Sequence, residues 1–266
     1  MLDLEFAQLS DPGKVRDHNE DFLGHAVPAN EEQARAHGWL FALADGVGGH
    51  DRGEVASRVA VECVLEGFKK AARGESLNAL LPRLVQSANS KVFEAGLAAT
   101  PAGSNMATTM VACALRYDQA IVSHAGDSRC YLVRQGYAAA ITRDHTFSNE
   151  QVKMGVVTAA EASRSQASHV LSRSLGAHMF LSVDTSENQI FAGDVLLQCS
   201  DGLHNSITSE DIGRITGHGA PLATAAQELI DLAKQRDGSD NISVQLIRVR
   251  SVERVGMYRG RHYKLH

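Results

Sequence analysis

The order of the secondary-structure patterns predicts an α+β fold in which antiparallel sheets are stacked and covered by helices. Apolar strands come first along the chain, two long amphipathic helices follow, and a group of short β-rich runs precedes a last helix and strand. A sheet or helix with one apolar face must bury that face against another layer, so this order favours a layered domain. The 266 residues show no internal linker, and we therefore expect one large domain.

The first signals lie in the N-terminal third. Residues 2–9 alternate weakly between apolar and polar and predict a strand, and the run "GWLFALA" at 38–44 is typical of a strand buried on both faces. A helix is predicted from about Gly53 to Gly74, because apolar side chains recur at helical spacing between them. Asp51 is placed as the N-cap of this helix.

A second long helix is predicted from near Ser76, where apolar residues follow one stripe at helical period. Pro82 lies inside this helix and allows a kink. From 108 to 141, short β-rich runs alternate with turn signals such as "GDS" and "QG". This texture predicts a meander of antiparallel strands.

Residues 145–180 are polar and helix-prone, and Thr158 with Glu161 matches a capping box, so we expect a surface excursion. Two further strands, "DVLLQCS" and "NISVQLIRV", flank a helical pattern that runs from Pro221 to Gly238. These elements complete the predicted layers.

Composition places the chain among globular proteins. It is 44% hydrophobic and 21% charged, with a formal net charge of -5, so nucleic acid is not an expected partner. No apolar run approaches the roughly 20 residues that cross a bilayer, and the N-terminus does not resemble a signal peptide, so we expect a cytoplasmic protein with no membrane partner. Four dispersed cysteines without a C-x-x-C pair predict buried, reduced thiols.

Three aspartates stand at the ends of predicted strands. Asp45 and Asp201 each follow an apolar run directly, and Asp240 stands just before the last strand. The first two precede a glycine, and an Asp-Gly pair alone is also typical of a hairpin turn. A glycine-rich loop and a helix, not a partner strand, follow Asp45, so we favour carboxylates delivered to one edge of a core.

The segment "RDHNED" at 16–21 adds Arg16, Glu20 and Asp21. A solvated turn is the simpler interpretation of such a charge run. If the segment is extended, Arg16 and Glu20 project from the same face, and Asp21 faces away unless a bulge intervenes.

Convergence of these acids would require a compensating charge. Two carboxylates about 4 Å apart repel by roughly 4 kcal/mol at an effective dielectric near 20, and one arginine cannot neutralise several such pairs. Protons or divalent cations must do so, and oxygen ligands favour magnesium, manganese or calcium. An arginine beside such ions suggests phosphoryl chemistry, in which two metals hold and activate a water. No G-x-S-x-G or P-loop motif suggests a different chemistry.

Eight ordered motifs carry a resemblance to a known family. In chain order they are "RDHNED", "ALADGVGGHDRGEVAS", "ATTMV", "HAGDSRCYLVRQG", "TRDHT", "LSRSLG", "CSDGL" and "SDNISV". From about residue 4 to 249 the chain resembles the metal-dependent Ser/Thr protein phosphatases of the protein phosphatase 2C type, and in particular their bacterial branch. The resemblance implies a four-layer αββα sandwich, in which two antiparallel β-sheets are flanked by pairs of antiparallel helices and a two-metal site lies at one end of the sheets.

The resemblance also implies roles for individual residues. Asp45 would bridge both ions, Gly46 would lend its carbonyl to one of them, and Asp201 and Asp240 would hold the other. With Arg16, the three aspartates form the expected catalytic set.

Further residues are assigned by the same resemblance. Arg16 would grip the substrate phosphate, and Glu20 and Asp21 would act on the metals directly or through bound water. Asp127 would form a weaker third metal site together with Asp201. The cofactors would be two Mn²⁺ or Mg²⁺ ions, with a possible third.

The implied activity is hydrolysis of phosphoserine and phosphothreonine monoesters on proteins, by direct attack of a water that bridges two divalent metals. Phosphoprotein substrates, a cognate Ser/Thr kinase as partner and a monomeric state follow from the same resemblance. Two other hypotheses stay open from the residues: a catalytically silent module that binds phosphoproteins, and a hydrolase of small phosphorylated metabolites.

The chain departs from the family pattern near Asp45. Val47 stands where some relatives place a histidine that acts as general acid, so the leaving-group proton must come from water or another residue. His50 and His204 are candidates by their place in the sequence, although a structural role is the simpler interpretation. Ala107, where the family often has glycine, is interpreted as a packing variation.

The domain boundaries follow from the motifs and the charge pattern. Residues 1–250 form the expected phosphatase domain, with a variable flap at about 146–168, and residues 251–266 form a basic tail. Between Arg248 and the last residue, five arginines and one lysine accompany a single glutamate. A solvated terminus is the simpler interpretation, and docking onto an acidic partner is the alternative hypothesis.

Overall fold

Two antiparallel five-stranded sheets form the centre of the described part of the chain. The computed structural model describes residues 1–47, 52–99, 105–162, 170–217, 219–253, 255–258 and 261–264. In spatial order, the first sheet contains β1 (Asp3–Asp11), β10 (Ile242–Ser251), β9 (Val195–Cys199), β6 (Arg129–Arg134) and β7 (Tyr137–Ala140). The second sheet contains β2 (Asp21–Ala26), β3 (Trp39–Asp45), β4 (Met110–Arg116), β5 (Gln119–Ala125) and β8 (Asp184–Gln189).

Helices cover the outer faces of both sheets. The described helices are α1 (Glu31–Ala36), α2 (Gly53–Lys69), α3 (Leu77–Ala99), α4 (Phe147–Lys153), α5 (Ala159–Ala162), α6 (Asp201–His204), α7 (Ser209–Thr216) and α8 (Leu222–Arg236). Helices α2 and α3 bury their apolar stripes against the second sheet, and α7 and α8 cover the first. A third apolar cluster, with Phe41 and Leu196 fully buried, fills the space between the sheets. The predicted α+β sandwich of stacked antiparallel sheets is therefore confirmed.

Several predicted elements have the expected places and shifted ends. The strands predicted at 2–9 and 38–44 are β1 and β3. Helix α2 ends at Lys69, before Gly74, which adopts a left-handed conformation (φ +73°) in the turn that precedes α3. The residue that caps α2 is Arg52, which makes no side-chain cap hydrogen bond, and Asp51 lies outside the described residues.

The meander predicted for 108–141 is wrong as a single sheet. Strands β4 and β5 pair in the second sheet, whereas β6 and β7 belong to the first. The chain changes sheets at Gly126, whose φ of +110° is open to glycine and costly for other residues. A Cβ at this position would lie 2.7 Å from the Cβ of Thr109.

The flap region contains α4 and α5, with the capping box predicted from Thr158 and Glu161. The Glu161 carboxylate accepts from the backbone N–H of Thr158 at 2.7 Å, and the Thr158 hydroxyl accepts from the Glu161 N–H at 3.3 Å. Residues 163–168 of the predicted flap lie outside the described residues.

Within the basic C-terminal segment, β11 (Val255–Tyr258) and β12 (Arg261–Lys264) pair as a two-stranded antiparallel hairpin. Just before it, Glu253 accepts a hydrogen bond from Arg35 at 3.4 Å. The four cysteines are buried and unpaired, as predicted. Among the described helices, none combines the length and the apolar character that crossing a membrane would need.

Candidate metal centre

The acids predicted from strand ends meet at one end of the two sheets. Asp21 opens β2 and Asp45 closes β3, and the two residues are direct register partners. In the other sheet Cys199, near the end of β9, pairs with Val244 near the start of β10. Asp201 and Asp240 therefore lie beside each other, just beyond these strands.

Electrostatic coupling shows that the acids share one pocket. Burial and the charges of four neighbours, Asp21, Asp201, Asp127 and Asp240, raise the pKa of Asp45 well above its usual range. Burial is the largest cause, because it removes the water that would stabilise the ionised form. The convergence considered from the sequence is therefore supported for Asp45, Asp201 and Asp240. Burial and, to a lesser extent, the charge of Asp240 raise the pKa of Glu20, which therefore lies close to Asp240. Asp21 and Asp127, assigned by the family resemblance, lie near the Asp45 carboxyl.

Two glycines make room for Glu20 beside this pocket. The Glu20 carbonyl accepts from the Gly46 N–H at 3.1 Å and from the Ser57 hydroxyl at 2.6 Å. A Cβ on Gly46 would lie 2.5 Å from the carbonyl carbon of Gly53, and a Cβ on Gly53 would lie 3.0 Å from the carboxyl carbon of Glu20. Side chains at either position would therefore push Glu20 away.

Arg16 reaches the pocket from a loop of turns and bends, since residues 12–20 contain no strand. The extended conformation considered from the sequence is therefore wrong. The Arg16 Nη2 atom donates to Asp240 Oδ2 at 2.8 Å, and both side chains stay accessible, at 44% and 37% exposed. This hydrogen bond and the nearby charge of Asp240 raise the pKa of Arg16.

Asn241 holds the loop that carries Arg16 and Glu20, a role that the sequence did not reveal. Its Oδ1 accepts from the Glu20 N–H at 2.8 Å, and its Nδ2 donates to the carbonyls of Pro12 and His18 at 3.0 Å. Because the amide is only 5% exposed, these hydrogen bonds are shielded from water. The motifs "SDN" and "RDHNED" lie far apart in the sequence, and nothing in either motif indicated that Asn241 would contact the loop.

Thr108 and Thr109 fix the backbone of Asp45. The Asp45 N–H donates to the hydroxyl of Thr109 at 2.9 Å, and the Asp45 carbonyl accepts from the Thr108 hydroxyl at 2.7 Å. The Thr109 hydroxyl also contacts that of Ser128 at 2.7 Å. The two threonines of the "ATT" motif therefore position a candidate ligand. Ala107, the first residue of the motif, is only 3% exposed, which agrees with its interpretation as a packing residue.

Two more carboxyls are strongly perturbed. Burial, reinforced by the charge of Asp201, raises the pKa of Asp21 and of Asp127 to about 7. The Ser200 hydroxyl donates to Asp21 Oδ2 at 2.8 Å, but Asp21 Oδ1 is buried and has no partner among the described residues. A buried oxygen without a partner is costly unless a ligand completes it.

The pocket fits divalent cations. Its donors are all oxygens, and in the described part of the chain Arg16 is the only cation that forms an ion pair with them. Hard ions such as Mn²⁺ and Mg²⁺ prefer such donors, and a cation near Asp45 would satisfy the unpartnered oxygen of Asp21 and lower the repulsion at Asp45.

A cavity of about 310 Å³ adjoins Asp127 and separates it from the flap. Helix α4 lines one wall with Ser148, Asn149 and Val152, and His204 lies on the other. The cavity therefore lies directly beside the acidic centre.

His204 does not fit the role of general acid. Its Nε2 lies 2.9 Å from the Asp127 carbonyl, so the proton on this nitrogen is already donated to the backbone. Burial lowers the pKa of His204 to about 4, and the ring is neutral at pH 7. The other candidate, His50, lies outside the described residues.

A second group of possible metal ligands lies at the base of the flap. The ligand atoms of His124, His145 and Asp184 come within 4.8 Å of one another. The two imidazole rings stack with centroids 4.6 Å apart and planes at 11°, so their in-plane lone pairs do not converge on one point. Arg173 already supplies a positive charge to Asp184 at 2.8 Å, and we interpret the group as a structural network.

Comparison with known proteins agrees with this geometry. The family model described as protein phosphatase 2C matches residues 18–243. The chain belongs to the protein phosphatase 2C family. The resemblance carried by the eight motifs is therefore confirmed, and so is the prediction of a protein phosphatase.

Individual relatives of this family are similar along nearly their whole length. A serine/threonine phosphatase stp from Listeria innocua is 31% identical over 255 residues, which cover 95% of this chain and 96% of that protein. The crystal structure of the Mycobacterium tuberculosis serine/threonine phosphatase PstP/Ppp superposes with a TM-score of 0.80 at 32% identity, covering 94% of this chain and 99% of the other. A catalytic domain of PstP in complex with two manganese ions gives a TM-score of 0.77 at 33% identity, with the same coverage.

The metal-free protein should lose stability as the pH rises. Asp21 and Asp127 titrate near pH 7 in the folded state and near pH 4 when unfolded, so between these values the folded state binds more protons and the free energy of unfolding falls with rising pH. Asp45→Asn removes one repelling charge and should raise the melting temperature in chelator at pH 8 by about 2 °C or more.

Thermal melts in chelator between pH 5 and pH 8 test this expectation, with Asp3→Asn, an exposed acid at the start of β1, as the control. Added Mn²⁺ should raise the melting temperature of the wild type and raise that of Asp45→Asn much less. A melting temperature of Asp45→Asn in chelator that is equal to or below that of the wild type would contradict mutual repulsion as the dominant effect.

Asn241→Ala should weaken Mn²⁺ binding as well as the fold. The substitution leaves the Glu20 N–H and two carbonyls without partners, at a cost of about 1–3 kcal/mol, and frees the loop that carries Arg16. Asn89→Ala is the matched control, because Asn89 is equally buried and also ties down a loop without touching the acids. Calorimetric Mn²⁺ titration should show weaker binding only for Asn241→Ala, and equal affinities would contradict this role.

Proposed function

We propose that the acidic centre hydrolyses phosphoserine and phosphothreonine monoesters on proteins with the help of two divalent cations. The chain is a metal-dependent serine/threonine protein phosphatase by family. The observation that supports this centre as its active site is the convergence of Asp21, Asp45, Asp201 and Asp240 in one pocket, where Asp21 Oδ1 is buried without a partner among the described residues. Every acid that the family resemblance assigns is present, which disfavours a silent binding module.

The residues of the centre divide into candidate ligands of the cations and one candidate ligand of the substrate phosphate. Asp45 would serve both cations, the Gly46 carbonyl would serve one of them, and Asp201 and Asp240 would hold the other. Glu20 and Asp21 would complete the shell directly or through water. When bound, the cations supply a water acidified for attack and neutralise charge on the phosphoryl group.

Arg16 would bind the phosphoryl oxygens. Its ion pair with Asp240 occupies Nη2 and fixes the direction of the guanidinium, so its other N–H groups remain for the substrate. Because 44% of the side chain is exposed, a phosphorylated side chain can reach it without a conformational change in the core.

The reaction breaks the bond between phosphorus and the seryl or threonyl oxygen, and the water oxygen takes the place of that leaving group. The departing oxygen needs a proton, and neither Val47 nor the neutral, hydrogen-bonded His204 supplies it. We propose that solvent water does so, since the pocket is open beside Asp240.

Finer assignments rest on family resemblance. Asp127, whose carboxyl lies close enough to raise the pKa of Asp45, would form a weaker third cation site with Asp201. Mn²⁺ is supported by the relative that contains two manganese ions, and Mg²⁺ is the alternative. A cognate Ser/Thr kinase, a monomeric state and a cytoplasmic location stay predictions.

Mn²⁺ should support hydrolysis of p-nitrophenyl phosphate and phosphopeptides, and a chelator should abolish it. Asp201→Ala should lower kcat by about 100-fold or more, because it removes a cation holder and its electrostatic contribution to the transition state. Asp231→Ala, which changes an exposed acid on α8, is the control. Phosphate release from Asp201→Ala at the wild-type rate would contradict the proposal.

Arg16→Ala should raise KM more than it lowers kcat, if the guanidinium binds phosphate in the ground and transition states alike. Arg16→Lys should recover part of the loss, because an ammonium keeps the charge without the bidentate geometry. Lys14→Ala, an exposed cation two residues away, serves as control. Steady-state kinetics would refute the assignment if Arg16→Ala and Lys14→Ala behaved alike.

A further inference from the structure

A second cavity, of about 340 Å³, lies at the far end of the second sheet. The tip of the β4–β5 hairpin, residues 116–119, forms one wall, and the start of α3 forms another. Strand β4 begins next to Thr109, which holds Asp45, and ends at Arg116. Seven residues of strand therefore separate this cavity from the acidic centre by about 20 Å.

Arg116 gives the cavity a buried positive charge. Its side chain is only 9% exposed, and among the described residues it makes one hydrogen bond, from Nη1 to the Ala36 carbonyl at 3.0 Å, and no ion pair. The ring of Tyr117 lies 5.8 Å from the guanidinium carbon. A buried cation without an anion is costly, and burial accordingly lowers the pKa of Arg116.

The N-terminus of α3 adds a second positive element on the same cavity. The Ser76 carbonyl accepts from the Leu80 N–H at 2.9 Å, so the helix begins here, and its first turn contains no acidic residue. In the described part of the chain, no side chain accepts from the N–H of Leu77 or Asn78. Such free N–H groups at the positive end of a 23-residue helix attract anions.

Two acids line the same cavity. Asp118 follows Tyr117 at the hairpin tip, and Glu187 of β8 accepts from Asn78 Nδ2 at 2.7 Å. A simple anion would neutralise the charge of Arg116, but the carboxylates of Asp118 and Glu187 would repel it. A ligand that carries one negative and one positive group would satisfy both parts of the lining.

We propose that this cavity binds a small zwitterion with the chemistry of a free amino acid. Its carboxylate lies against Arg116 and the α3 N-terminus, and its ammonium group lies toward Asp118 and Glu187. The cavity has room for a ligand of this size together with a side chain. The site is separate from the catalytic pocket and does not depend on the proposed activity.

Thermal melts and calorimetry of the manganese-loaded protein test the site, with each proteinogenic amino acid at millimolar concentration. At least one should raise the melting temperature, and its amide and its deaminated acid should not, because each lacks one of the two charges. Arg116→Met keeps the apolar stem and should weaken binding by about 10- to 100-fold. Glu187→Gln should weaken it less, and Arg83→Met, an exposed arginine of α3, should leave it unchanged.

Three outcomes would overturn the proposal: no amino acid shifts the wild-type melt, the shift persists undiminished in Arg116→Met, or inorganic phosphate binds in an Arg116-dependent way while amino acids do not. If Arg116→Met does not fold, Glu187→Gln decides the question. Unchanged affinity in that exposed variant would then count against the site.

Discussion

Repulsion among carboxylates is the constraint on which the functional end of this protein depends. Two sheets deliver Asp21, Asp45, Asp201 and Asp240 to one partly dry pocket, where burial and the neighbouring charges raise the pKa of Asp21 and of Asp45. The apolar core between the sheets, the helices outside them and the ladder hydrogen bonds must hold this arrangement against its own charge. Without cations this repulsion works against the fold, and divalent cations bound there would offset it.

The rigidity comes from neutral groups as much as from the acids. Thr108 and Thr109, the two residues before β4, hold the Asp45 backbone, and Asn241, the residue before β10, holds the Glu20 backbone. The Thr108, Thr109 and Asn241 side chains are buried, so these hydrogen bonds compete little with water. Neutral side chains therefore fix the backbone at Asp45 and Glu20 without using the carboxylate oxygens.

The sequence alone predicted the layers and the acids, for two physical reasons. Hydrophobic periodicity reflects burial directly. A hairpin turn was the alternative for the strand-end acids, and the loop and helix that follow Asp45 disfavoured it. The change of sheet at Gly126 was missed, because local patterns do not specify which strands pair. The roles of Asn241 and the threonines were missed as well, since they depend on contacts across 64 and 221 residues of chain.

The pairing of β1 with β10 in the first sheet has a consequence for protein engineering. Asp3 is the register partner of Ser251, and the Ser251 hydroxyl donates to the Met1 carbonyl at 2.9 Å. A short linker could therefore join these two points, and the chain could be reopened in the exposed connection before α1, at the edge away from the acids. Such a circular permutant would leave the segment around every candidate ligand uninterrupted while moving β1 and β2 to the C-terminal end of the chain.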